Sequence, residues 1–329
     1  MKEGICNIRS VLPDKVKESF DSIVEQRVLG ASKHITMIGD MIEAIATQGK
    51  EEKKTVNVII DDIKKVARFF IATRGEASQA ISNAILIMIH EIDKNADLDI
   101  ETAVNNILET KNSYLKMSKE ATDKVIEYAV ELAKDMQKIF VFDYSSTVDK
   151  FLVSLAKTGK KYTIYIAESR SIDGGLPFVS SCQKVGHAIK YIPDASIMYY
   201  LRECDAAFMG AETFLPDGTG FNTIGSDIVG LVCDYYNIPL YFLTPFIKLD
   251  IRPIFGHKKT LVINDMKEKL TKNWDKGIDT KQIDFLTPEL IGVEAKYIKG
   301  YVTEKGIIPS NQMYEISLAY SNNLKGDTV

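Results

Sequence analysis

Cysteine is sparse in these 329 residues. Four are present, at 6, 182, 204 and 233, too far apart for a metal-clipping CxxC pair or for the disulfide framework of a small secreted domain. A reducing, cytoplasmic setting is expected, with Cys182, Cys204 and Cys233 as buried thiols, since each falls in an apolar run. Positive charge is not in excess either: 41 Lys and Arg stand against 45 Asp and Glu, a net charge of -4. There is no arginine-rich arm or zinc-finger spacing, so nucleic acid is not expected as a direct partner. No window of about 18 apolar residues appears, and the N-terminal MKEGICNIRSVLPDKVKESF carries charges where a signal peptide needs an apolar run. Neither membrane insertion nor export is expected. The four histidines, His34, His90, His187 and His257, fit no HExxH or HxH spacing, and both GxGxxG and GxxxxGK[ST] are missing. The reading is of no metal and no cofactor.

Glycine and proline are scarce between Asp14 and Lys138, and apolar residues recur three or four apart, as in Ile35, Ile38, Met41 and Ile42. That period predicts helices, with further ones over Val56–Ala72, Ala77–Ile92 and Ile100–Met136, the last either interrupted or unusually long. Residues 1–137 thus form a helical domain. At Lys138 the period changes: KIFVFD, KYTIYIAE, AIKYI, CDAAFMG and PLYFLT are short, aromatic and β-branched, and helical patterns at Ser146–Lys157, Pro177–Val185, Ser196–Arg202 and Ile224–Tyr236 separate them. Such alternation predicts right-handed crossovers and a mostly parallel, doubly wound sheet over residues 138–329. The fold class is α/β, with the polar end SNNLKGDTV expected as a loose tail.

In an open parallel sheet the ligand crevice lies beyond the carboxyl ends of the strands, so the first polar residues after each apolar run are the candidates. They are Asp143 with Ser145, Glu168 with Arg170, Glu212, and Thr244. Asp143 is either a cap of the following helix or an acid facing the crevice. Glu168 and Arg170 form either a structural ion pair at the rim or part of a ligand site. Glu212 sits among turn formers and is either solvated or paired with Asp143 across one crevice. The run Asp217–Ser226 is rich in glycine and leads into a helix, so Asn222, Gly225 and Ser226 are candidates for holding a ligand and its anionic group. Arg74 interrupts a helical region beside Gly75; it is a solvated cation or a fork for phosphate oxygens.

Taken together these residues resemble a known family. Gly210-Ala211-Glu212, Asp217-Gly218, Asn222 and Ile224-Gly225-Ser226 are similar to the GAD/GAE…DG…NKIGT run of methylthioribose-1-phosphate isomerases, ribose-1,5-bisphosphate isomerases and the regulatory subunits of the initiation-factor-2B exchange complex. Glu168-Ser169-Arg170 with Gly174-Gly175 resembles ETRP…QG, Arg74 falls where the family has an RPT-type segment, and Gly30-Ala31 resembles an RGA. Phe285–Ile291 and Thr303-Glu304-Lys305-Gly306 with Pro309 resemble its FDxTP…LI…TExG…P ending. The resemblance implies a helical domain joined to a Rossmann-like domain, paired as dimers or assembled further. Apolar Ile307-Ile308, which a monomer would have to cover, agrees with a homodimer or larger homo-oligomer.

Departures from the family pattern bear on chemistry. Asp143 stands where the isomerases have a cysteine, Glu212 where they have an aspartate, Thr223 in place of the lysine of NK, and Leu29 in place of the arginine of RGA. Two readings follow for a phosphorylated small-molecule ligand. One is an aldose-ketose isomerase acting on a sugar such as a ribose phosphate, in which crowded Asp143 and Glu212 share acid and base work. The other is a noncatalytic regulatory subunit, or a sugar-phosphate or nucleotide sensor.

Overall fold

The computed structural model describes residues 2–25, 27–28, 30–75, 78–275 and 277–325. By its contacts the chain divides into two units: Met1–Ala121 with Ile247–Leu249 and Leu318–Val329, and Thr122–Phe246 with Asp250–Ser317.

The first unit is built from helices α1 (Lys2–Ser10), α2 (Asp14–Val24), α3 (Ala31–Glu51), α4 (Val56–Arg74), α5 (Gln79–Met88) and the first part of α6 (Ile100–Ala133). Apolar residues of α3 at spacings of three and four, Ile35, Ile38, Ile42 and Ile45, are buried on one face, as the period requires. Phe20 and Phe70 are fully buried and meet edge to face. Thr55 caps α4 by accepting from the Val58 N–H. The Asn83 amide donates to the carbonyls of Ile247 and Leu249, which ties that distant tripeptide into this unit. The helix expected from Ala77 to Ile92 is shorter, because Glu91 takes a left-handed φ of 52° and starts a separate 3-10 turn; Ala77 itself lies outside the described residues. α6 is a single helix of 34 residues, with no interruption.

Chain order in the second unit is β1 (Lys138–Val141), α7 (Ser146–Leu155), β2 (Thr163–Ala167), α8 (Leu176–Val185), β3 (Ala188–Ile192), α9 (Ile197–Leu201), β4 (Ala206–Gly210), β5 (Thr213–Phe214), β6 (Gly220–Thr223), α10 (Ser226–Tyr236) and β7 (Leu240–Leu243). It continues with β8 (Ile263–Asp265), α11 (Lys267–Leu270), β9 (Leu286–Pro288), β10 (Leu290–Val293), β11 (Gly300–Thr303) and β12 (Gly306–Ile308), and then α12 (Met313–Lys325), which crosses back into the first unit. The main sheet runs β12-β11-β7-β4-β1-β2-β3, parallel except for the β11–β12 hairpin. Its strands read as continuous apolar runs because both faces are covered. Phe151, Leu152 and Leu155 of α7 and Phe178 and Cys182 of α8 are buried in one core cluster with strands β1, β2 and β4.

Two sequence expectations change here. The glycine-rich run at 217–226, read as one loop, contains β6, which joins β5 and β10 in an antiparallel sheet of three. Strand β6 is only four residues long and opens on a glycine, so its alternation was too short to register. The expected loose tail is helical as far as Lys325, because Met313, Ser317 and Ser321, four apart, give α12 a buried face; residues 326–329 lie outside the described residues.

Candidate active site

Strand order reverses between β1 and β4: from β1 the chain winds outward through β2 and β3, then returns to β4 and winds the other way through β7 and β11. β1 and β4 are hydrogen-bonded neighbours, with Val141 opposite Phe208. The carboxyl ends of these two strands form the topological switch point, where such sheets open a crevice. Asp143 lies two residues beyond β1 and Glu212 two residues beyond β4.

Asp143 does not cap α7. Ser145 does, its hydroxyl accepting from the Val148 N–H, so this candidate ligand residue has a local structural role. The Asp143 side chain turns inward instead: it is 4% exposed, Ser169 Oγ donates to Oδ1 at 3.2 Å and Thr223 Oγ1 donates to Oδ2 at 2.8 Å. Its backbone has a left-handed φ of 60°, and Ser169 one of 48°, conformations costly for residues with a Cβ and concentrated at functional sites. Gly174 completes the enclosure. A methyl group there would sit 2.1 Å from Asp143 Oδ1, so only glycine lets that loop approach the carboxyl. Burial pushes the Asp143 carboxyl above the ordinary aspartate range. Bonds from Thr223, Ser169 and the Tyr144 N–H pull it back, and the charge of Glu212 pushes it up further.

Glu212 is half-buried, fixed at its backbone by an N–H bond to the Phe221 carbonyl. Its charge reaches Asp143, and its backbone partner Phe221 lies two residues before Thr223, which bonds Asp143. Beside them on β6, Asn222 is buried and its amide nitrogen has no hydrogen-bond partner among the described residues. At the start of α10, Gly225 takes φ +100°, and Ser226 is fully buried with a hydroxyl that has no partner among the described residues. Unpaired buried donors are costly unless something supplies an acceptor.

Beyond β2, Arg170 stands 3.8 Å from Glu168 and 3.9 Å from Asp173, separations too long for hydrogen bonds. The loop that carries it is fixed by Asp194, whose two oxygens accept from the Ser169 and Arg170 N–H groups. Arg74 ends α4 in the helical unit, with its Nε buried and without a hydrogen-bond partner among the described residues. Leu29 lies outside the described residues. The three thiols expected to be buried are buried.

Sequence reasoning left three polar residues out of the candidate set. Thr223 was hidden by reading β6 as a turn. Ser169 lay between two charged residues that drew the attention. Glu304 follows β11 and accepts from the Phe246 N–H, with burial raising its carboxyl above the ordinary range; the first-polar-residue rule selects it once β11 is recognised as a strand.

A helical unit and a doubly wound, mostly parallel sheet define an α/β protein of the Rossmann-like class. More specifically, the chain belongs to the initiation factor 2 subunit family, which it matches over residues 31–310. It is 21% identical over 299 residues to ribose 1,5-bisphosphate isomerase of Pyrococcus furiosus, covering 90% of each chain. It is 22% identical to translation initiation factor eIF2B subunit delta of Dictyostelium discoideum over 87% of this chain and 48% of that one. The solved 5-methylthioribose 1-phosphate isomerase from Pyrococcus horikoshii OT3 superposes with a TM-score of 0.74 at 18% identity, over 95% of this chain and 92% of that one. Relatives of this chain thus include sugar-phosphate isomerases and translation-factor subunits. No helix among the described residues is long and apolar enough to cross a membrane.

Proposed function

We propose that this chain is an aldose-ketose isomerase acting on a phosphorylated sugar such as a ribose phosphate, by proton transfer between Asp143 and Glu212. The observation that carries the reading is the pairing of these acids at the switch point, one buried and the other half-buried. Burial favours the protonated form of Asp143, which fits it for the acid. The Glu212 carboxylate, which makes no hydrogen bond with a described residue, fits the base. With an open-chain aldose bound, Glu212 takes the C2 proton as Asp143 protonates the carbonyl oxygen, giving an enediol. Glu212, half-buried and able to exchange its proton with solvent, then delivers a proton to C1, and loss of the O2 proton to Asp143 gives the ketose. Asn222 offers its amide N–H to a substrate hydroxyl, while Arg170 and the Gly225-Ser226 backbone serve the phosphate.

Asp143→Asn and Glu212→Gln keep shape and remove the exchangeable proton. Each is expected to fold and bind ligand while losing turnover by roughly 10²–10⁴-fold, the usual worth of a positioned acid or base. Full activity in both variants would sink the mechanism. A second reading, a noncatalytic sensor or assembly subunit, is favoured by the engagement of both Asp143 oxygens by Ser169 and Thr223. Ligand binding by the wild type without turnover on any aldose phosphate would put that reading in its place. In either case a homo-oligomer is proposed. Ile228, Leu231 and Tyr235 line one exposed face of α10, beside exposed Met198 and Tyr199 of α9, and a second copy would cover them.

A further inference from the structure

The geometry points to Lys269 as a binding residue for the anionic group of the ligand, supplied by the arm of residues 256–288 and held in place by Asp173. The inference deepens the proposed phosphate site at Arg170 and rests on that site, though not on turnover.

The arm lies within the second unit, where it follows Phe255, forms the β8–β9 hairpin with α11 between its strands, and runs directly into β10, which pairs with β6. It touches both flanks of the crevice. On one side Lys259 Nζ lies 5.3 Å above the ring of Phe221, the residue before Asn222. On the other, Lys269 Nζ donates to the Ser171 carbonyl at 3.1 Å and to Asp173 Oδ2 at 2.8 Å. Ser171 and Asp173 belong to the same loop as Ser169, which bonds Asp143.

An ammonium group has three donors, and these contacts use two. Lys269 is partly exposed, with 27% of its side chain open to solvent, so the third N–H is available to a ligand. Among the described residues Arg170 makes no side-chain hydrogen bond and is held by attraction to Glu168 at 3.8 Å and Asp173 at 3.9 Å. Asp173 therefore sits between two cations, bonded to one and near the other, where it neutralises charge that a phosphate would otherwise take. A phosphate dianion carries more charge than one carboxylate and presents oxygens to both cations at once. The loop needs no rearrangement to receive it, because Asp194 already fixes the Ser169 and Arg170 backbone. In this site Lys269 and Arg170 are the ligand's contacts, and Asp173 is the internal competitor.

The competitor role separates this inference from a plain structural ion pair. Asp173→Asn suits the left-handed φ of 56° at that position, which asparagine tolerates, and it removes the competing charge. Titration calorimetry with inorganic phosphate at fixed ionic strength, on full-length wild type, Lys269→Met and Asp173→Asn, provides the test. Lys269→Met is expected to weaken phosphate binding about tenfold, as loss of a charge-assisted bond does, and Asp173→Asn to tighten it severalfold. Unchanged affinity in Lys269→Met, weaker binding in Asp173→Asn, or no phosphate binding by the wild type would each overturn the inference. If the expected affinity pattern holds while no aldose phosphate is turned over, the isomerase reading fails and the Lys269 site stands.

Discussion

Replacing Thr223 with valine changes one oxygen into a methyl group and tests how Asp143 is held. The Thr223 hydroxyl donates at 2.8 Å to a carboxyl that is 4% exposed. A hydrogen bond to a charged group contributes about 1.5–3 kcal/mol net, and its loss leaves Oδ2 buried with one donor fewer. At about pH 9, with Asp143 ionised, a destabilisation of about 2 kcal/mol is expected, or a fall in Tm of roughly 4–8 °C for a unit of this size. The cost depends on pH. Burial has already raised the Asp143 pKa above its ordinary 3.8, so the wild type binds a proton there more readily than the unfolded chain does. Its stability therefore falls as pH rises from the ordinary aspartate range through the raised folded pKa. Thr223→Val removes an influence that pulls that pKa down, so the variant falls further over the same range, and its penalty shrinks toward about pH 3, below the ordinary aspartate value, where the carboxyl is protonated. Thermal unfolding at both pH values, in the wild-type and Asp143→Asn backgrounds, gives the coupling energy. An equal penalty in both backgrounds, or one independent of pH, would refute the argument that Thr223 acts through the Asp143 charge.

Other consequences are as direct. Gly174→Ala places a methyl group 2.1 Å from Asp143 Oδ1, and overpacking of that kind costs about 1–3 kcal/mol; chemical denaturation should register the loss, and ligand binding should fall with it. Arg170→Ala, at a cation 3.8 Å from Glu168, should weaken binding of phosphorylated ligands without changing the unfolding midpoint in their absence, as paired thermal-shift titrations would reveal. Sedimentation at micromolar concentration should give a dimer or larger species, and Leu231→Glu, in the exposed apolar face of α10, should shift it toward monomer; a wild type that stays monomeric would remove the case for self-association.

Strand-helix alternation after Lys138 was enough to anticipate β1 to β4 and β7, because each carries an apolar run bounded by turn residues. From those runs alone the rule about strand ends led to Asp143, Glu168 and Glu212. Periodicity did not expose β5, β6 or β10, whose two to four residues are too few to repeat. With β6 unseen, Thr223 looked like a substitution in a loop instead of a donor to Asp143. Lys269 was beyond reach for a different reason: 96 residues separate it from Asp173, and no local pattern encodes a contact of that span.

The claim that Asp143 and Glu212 move a proton between adjacent sugar carbons is tested most directly by turnover of aldose phosphates, ribose phosphates first, in deuterium oxide, followed by NMR. The account predicts a ketose phosphate with deuterium on the carbon that receives the proton, formed by the wild type and not by Asp143→Asn or Glu212→Gln. A ketose formed without any deuterium, or no ketose from any aldose phosphate that the protein binds, would contradict it.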